Sequence, residues 1–396
     1  MYNTKQNSFY SFSVALFLYA TLIVDLYRKI GGGSVETVRN LFYIISFGFI
    51  FVDMVKSKHL TKMFGLFFTV SIIFLVSSLI NNGYGSIFIS TWILFVSRLL
   101  PAYYVGRYTE DWNDVSKYVS KLSWLALLYA IIAIISPYDN TSNAYATIAT
   151  NLVFVSLISF RYAIQNKRYI KIAISLVCFA AVLFLGTRAV FVGTILSIVL
   201  VVSLYINNQN KGKKIVLWML AISMVLVIIA FSSTMIQVLL DMFPNSRTLI
   251  MLSDGEMLND SNRSEGFYSE LIYSLETNPF KIYGFLGDRI YLAGNNATKD
   301  VIISSFSHNV LLEICMNFGL VLGFFICLYF IYVLFKGWLN SKRFAQVERY
   351  IFMSFLGVTF VNMMVSSSYL NSYYIWVLYG FAFRFVYLKT DRMFYV

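Results

Sequence analysis

The sequence predicts an all-α integral membrane protein of about twelve transmembrane helices with one large external loop, and three observations carry that prediction. The 396 residues are 59% hydrophobic and only 13% charged, whereas soluble domains carry roughly a quarter charged residues. Mean hydropathy is +0.70. The apolar residues come in long runs with four prolines and 18% aromatics, without the period-two alternation of a membrane barrel strand. Nine of the nineteen acidic residues are gathered into one polar stretch, 233–307, with Arg247, Arg263, Lys281, Arg289 and Lys299 beside them.

Runs long enough to cross about 30 Å of hydrocarbon fall near 9–27, 38–55, 63–80, 86–105, 119–137, 145–163, 169–186, 188–206 and 214–232, and again near 309–335, 350–367 and 371–388. One integrated membrane domain follows, with an N-terminal bundle over 1–232, the loop over 233–307 with short helices of its own, and C-terminal helices over 308–396. The opening run is preceded by Lys5 alone and lacks a small-residue cleavage signature, so it is expected as a retained first helix. Inside the loop, Asn262–Leu275 is the best helix candidate: Asn262 suits an N-cap, Phe267, Leu271 and Leu275 recur every fourth residue, and Asn278-Pro279 ends it.

Orientation follows from Lys and Arg in the short loops. Lys56, Lys58 and Lys62, then Arg107, Lys117 and Lys121, Arg161, Lys167 and Arg168, Lys211 and Lys213, and Lys336, Lys342 and Arg343 fall on one face, which is assigned to the cytoplasm with both termini. The alternate connections around Asn81-Asn82, over 137–143 and at Ser366-Ser367-Ser368-Tyr369 carry no Lys or Arg, and the long loop shares their side, so it faces outward. Arg28, Lys29 and Arg39 break the rule once. The formal charge of +12 therefore sits mostly between helices, which points to the lipid bilayer as partner and not to nucleic acid.

Few residues invite chemistry. Arg188 follows Gly186-Thr187 in a turn with almost no loop, at an outer helix mouth, where an arginine either binds an anion or snorkels to lipid phosphate. Arg263 opens the candidate loop helix, and Arg289 follows Tyr283-Gly284-Phe285-Leu286-Gly287-Asp288; each is otherwise a solvated charge or a salt-bridge partner. Three external guanidiniums that converge suit a diphosphate, because planar bidentate donors match phosphate oxygens. His308 stands with Asn309 where the loop re-enters the membrane, and an imidazole there takes a proton from a hydroxyl or orients it, or else bonds to backbone. Glu313, one turn on, is a second base candidate or a neighbour's partner. Arg98, just before Pro101 in the fourth span, is an intramembrane cation that is a functional suspect, snorkels, or pairs with a carboxylate. His59 reads as a solvated loop residue, and Cys178, Cys315 and Cys327 as small buried hydrophobes. The two histidines lie too far apart for a zinc motif, and no P-loop, dinucleotide fingerprint or nucleophile elbow is present.

Three motifs, in order over 186–323, give the chain a likeness: Gly186-Thr187-Arg188; Arg263 with a short helix, Asn278-Pro279-Phe280 and the turn Tyr283-Gly284-Phe285; and Ser307-His308-Asn309 leading to Leu312, Glu313, Gly319, Leu320 and Gly323. In these the sequence resembles the O-antigen polymerase and O-antigen ligase superfamily of Wzy-type and ligase-type membrane enzymes. Its Gly turn departs from the family's usual Pro-Leu-Gly-x-Gly wording. The resemblance implies a GT-C-like membrane glycosyltransferase that performs inverting transfer on the outer leaflet without metal or other cofactor. Its donor and acceptor are polyprenyl-diphosphate-linked oligosaccharides, and a chain-length regulator and a flippase are natural partners. Carried over by position, Arg188 and Arg263 bind the donor diphosphate, His308 acts on the acceptor hydroxyl, and Arg289, Asn309 and Glu313 line the substrate site. A repeat-unit polymerase making O-antigen or capsular polysaccharide is the leading expectation; a ligase transferring glycan to lipid A core is the alternative within the family. A lipid-linked oligosaccharide flippase or other transporter is the alternative outside it, which polar residues strung along helix interiors would favour.

Overall fold

A computed structural model describes residues 8–29, 35–135, 144–185, 187–230, 232–242, 247–254, 268–294 and 298–387. Among these the protein is all-helical, without a strand. In chain order the helices are α1 (Ser8–Lys29), α2 (Val35–Lys56), α3 (Leu60–Ile80), α4 (Gly85–Leu94), α5 (Leu100–Tyr108), α6 (Trp112–Lys121) and α7 (Ser123–Ile135). Next come α8 (Ala144–Gln165), α9 (Tyr169–Phe184), α10 (Arg188–Asn207), α11 (Lys211–Ala230), α12 (Ser232–Met242), α13 (Arg247–Ser253) and α14 (Ser269–Thr277). Last are α15 (Gly287–Ala293), α16 (Lys299–Ser304), α17 (Val310–Phe318), α18 (Leu320–Asn340), α19 (Gln346–Val365) and α20 (Tyr373–Tyr387).

Among the described residues six helical stretches are long and apolar enough to cross a membrane: α1, α3, Gly85–Tyr108, α8, α10 and α18, or seven if the broken pair α6 and α7 is one span. Their outer faces are apolar. On α3, Phe64, Phe68, Ile72, Leu75 and Leu79 form an exposed stripe, with Leu79 at 74%, while Met63, Val70, Phe74 and Ser77 face inward. An exposed band of that kind is stable against acyl chains and not against water. The remaining apolar runs differ from the lengths the sequence suggested. The run at 309–335 is divided at Gly319 into α17 and α18, and α9 and α20 stop at 16 and 15 residues.

The helices form two compact units, Met1–Val119 with Ser261–Arg349 and Thr359–Val396, and Ser120–Asp260 with Tyr350–Val358. In the first, α5 and α20 cross with their backbones nearly touching: a Cβ on Gly106 would collide with the Val377 carbonyl, and one on Gly380 with the Tyr103 carbonyl. Small residues are what allow such an approach where lipid removes the hydrophobic drive between helices. At the expected cytoplasmic end of that crossing, Arg384 donates to Glu348 at 2.7 Å and to the Thr109 carbonyl. His59 is not the solvated loop residue the sequence suggested; it is half-buried, stacked on Tyr108 at 4.0 Å and within 3.1 Å of the Ser57 hydroxyl. In the second unit α8 packs on α9, Phe154 stacks on Phe355 at 4.1 Å, and the Ser197 hydroxyl donates to the Ser354 carbonyl while accepting from the Val358 amide.

Candidate functional site

Four of the sequence-selected residues, Arg289, His308, Asn309 and Glu313, come together in the first unit. Local rules explain how. Asn278 ends α14, as Asn278-Pro279 suggested, and the chain turns through Gly284 at φ 78°, where a Cβ would sit 2.8 Å from the Ser77 hydroxyl of α3. Glycine is the residue that accepts both the left-handed backbone and the contact. The Ser77 hydroxyl accepts from the Phe285 amide at 2.8 Å, and Asn81 donates to the Tyr283 carbonyl at 2.7 Å, so the turn is fixed to the end of α3. Leu286, at φ 63°, then starts α15, whose first turn carries Asp288 and Arg289 inward.

Arg289 is 2% exposed and Asp288 and Glu313 are fully buried. The Arg289 guanidinium donates to Ser368 Oγ at 2.7 Å and to the Ile303 carbonyl at 3.3 Å, and lies 3.9 Å from Glu313. With its amide oxygen turned toward the guanidinium, Asn371 accepts from Arg289 at 3.2 and 3.3 Å. Glu313 in turn accepts from the Ser368 hydroxyl at 2.5 Å and from the Tyr369 amide at 3.0 Å, and Asp288 accepts from the Ser307 amide at 3.0 Å. Arg289 and Glu313 thus tie α15 and α17 to the linker between α19 and α20, while Asp288 holds the Ser307 amide just before α17. Burial pushes the pKa of both carboxyls upward, and the Asp288 charge pushes that of Glu313 further; the nearby guanidinium pulls both back. Burial and the Glu313 charge likewise hold the Tyr369 phenol protonated.

The chain then enters α17. Asn309 is its N-cap, accepting from the Leu311 and Leu312 amides at 3.0 and 3.1 Å and donating to the Met364 carbonyl at 3.1 Å. Its amide is therefore engaged in holding the helix start. His308 sits at φ 54°, a left-handed conformation that a non-glycine residue adopts at a cost. Its half-buried ring lies 3.9 Å from Phe306, whose ring also receives the Arg289 guanidinium at 5.5 Å. Imidazole and guanidinium share one aromatic platform.

Arg188 belongs to the second unit, where it is the first residue of α10 with Thr187 as N-cap, in the nearly loopless turn the sequence suggested. Arg263 and Gly186 lie outside the described residues, as does Asn262; the described part of that expected helix begins at α14. Comparison with known proteins yields no match. No family model, no curated protein and no solved structure is similar to this chain.

Several members of the cluster were not singled out by sequence. Asp288 adjoins Arg289, and a polar pair in a stretch otherwise apolar was its one signal. Ser368, Tyr369 and Asn371 lie in a connection notable in sequence only for lacking Lys and Arg, and Phe306 gave no signal. Asn317, which accepts from the Gly287 amide at 3.1 Å and donates to the Tyr369 hydroxyl at 2.7 Å, was hidden in an apolar run.

Proposed function

We propose that the protein is a polysaccharide repeat-unit polymerase that joins a growing glycan, released from its polyprenyl diphosphate, to the next lipid-linked repeat. The observation that carries the reading is the shared platform: His308, in a costly backbone conformation, holds its ring against Phe306 beside a buried Arg289. Strain maintained at a histidine beside a fixed cation fits a group kept in place for chemistry. A glycosyl diphosphate already contains its leaving group, so the protein has two tasks: to neutralise charge growing on phosphate and to aim a hydroxyl at the anomeric carbon. In this reading His308 orients or deprotonates the acceptor hydroxyl. Arg188 and Arg263 engage the diphosphate, and Arg289, with Glu313 and Asn309 behind it, shapes the acceptor side.

The fold fits a GT-C-like arrangement in the bacterial inner membrane, with both termini cytoplasmic and the 233–307 loop periplasmic. The twelve crossings of this reading require α2, α9, α11, α19 and α20 to span as well as the seven stretches above. In cells, Arg188→Ala, Arg263→Ala and His308→Ala are each expected to abolish polymer while single lipid-linked repeats persist, read by gel profile of the glycan. Normal-length polymer in all three variants contradicts the proposal.

A further inference from the structure

Among the described residues three arginines are about nine-tenths or more buried, and they are not alike. Arg289 has Glu313 and Arg384 has Glu348, but Arg98, 9% exposed, has no carboxylate partner among the described residues. Its Nε and Nη2 also lack a hydrogen-bond partner there. What it has instead is two ring faces, Tyr43 at 5.0 Å and Tyr373 at 5.1 Å. Cation–π contacts offset part of the desolvation of a guanidinium but leave its in-plane N–H groups unused. The sequence offered two bland outcomes for this residue, snorkelling or a salt bridge, and among the described residues no carboxylate pairs with it.

The backbone aims the side chain inward. Pro101 provides no N–H for the preceding turn, and the helix passes it with a π-helical stretch, Phe95–Leu99, in which the Leu100 amide bonds back to the Phe95 carbonyl. Arg98 rides on that stretch, 13 residues into the span Gly85–Tyr108, or about 20 Å along the helix. Tyr373, one of its two ring partners, is the first residue of α20, directly after the linker whose Ser368 and Asn371 bear on Arg289. Two buried guanidiniums therefore flank one short polar linker, one with counter-charges and one without.

We propose that Arg98 binds the phosphate of a lipid-linked anion, its free N–H groups donating to phosphate oxygen while Tyr43 and Tyr373 hold the guanidinium plane. A guanidinium with unused donors inside an apolar bundle selects a ligand that brings both an anionic oxygen and an acyl or prenyl tail. The identity of that lipid, polyprenyl diphosphate, rests on the polymerase reading; the phosphate does not.

The test measures binding of undecaprenyl diphosphate, undecaprenol and phosphatidylglycerol to the purified full-length protein in detergent by native mass spectrometry, for wild type, Arg98→Lys and Arg98→Gln. Wild type is expected to prefer the diphosphate over the alcohol by about tenfold or more, as charge-assisted hydrogen bonds imply. Arg98→Gln should erase that ratio and Arg98→Lys retain part of it. A preference that is missing in wild type, or that survives Arg98→Gln, overturns the proposal, and so does lower thermal stability with an unchanged ratio. Arg98-dependent binding of phosphatidylglycerol equal to that of the diphosphate supports the phosphate site with bilayer lipid as its source. Polymer synthesis that persists when Arg98→Gln binds normally would sink the assignment of Arg98 alone. Arg98-dependent binding by a protein that makes no polymer would sink the polymerase reading alone.

Discussion

Glu313 and Asp288 are two fully buried carboxyls with one guanidinium between them, and that shortage of positive charge has a consequence that pH can read. Glu313 moves from an ordinary 4.5 up to about 8, chiefly through burial and then the Asp288 charge. A carboxyl raised on folding binds its proton more tightly in the native state. Its stabilising contribution is therefore complete below 4.5 and is lost as pH rises through about 8. Asp288, also raised, acts in the same direction. The melting temperature in detergent should decline from pH 5 to pH 9, and Glu313→Gln should flatten that decline; an unchanged slope in the variant would contradict the role given to the Glu313 proton. His308 permits a separate test. Because its φ of 54° suits glycine, His308→Gly should fold with stability within about 1 kcal/mol of wild type or better, yet make no polymer. Loss of stability along with polymer would make the residue structural.

Among the elements, the crossing of α5 and α20 sets where the polar linker sits, since α20 starts beside Arg98 and directly follows the linker that Arg289 grips. Gly106→Ala is expected to cost about 1–3 kcal/mol by overpacking against Val377. Gly48→Ala on α2, where a Cβ meets nothing within 4 Å, should be neutral or slightly stabilising in the same melt. Equal effects at both sites would mean the close approach is not maintained in solution. Much of this scale was legible beforehand. Apolar length announced the long spans, Asn278-Pro279 announced the end of α14, and Thr187-Arg188 announced the tight start of α10. The break of the 309–335 run at Gly319 was not, because a nine-residue amphipathic helix and a full span read as one apolar stretch until the glycine's φ of 79° separates them. The π-helix was half visible: Pro101 signals a local disturbance, but its register depends on what packs against it.

For the whole molecule, an exposed apolar surface on long helices makes a multi-pass membrane protein. Sequence could find His308, Arg289 and Glu313, since each is a rare residue type at a boundary between polar and apolar runs. It could not find their partners, because Ser368, Tyr369 and Asn371 become meaningful only when a connection 50 or more residues away folds onto α17. The central claim is that this cluster serves glycosyl transfer between two lipid-linked substrates. It is tested most directly by giving purified protein, in detergent with no membrane to cross, a polyprenyl-diphosphate-linked repeat and reading product length by mass spectrometry. The account predicts multimers from wild type and unextended repeats from His308→Gly. Unextended repeats from folded wild type, or multimers of equal length from both, would contradict it.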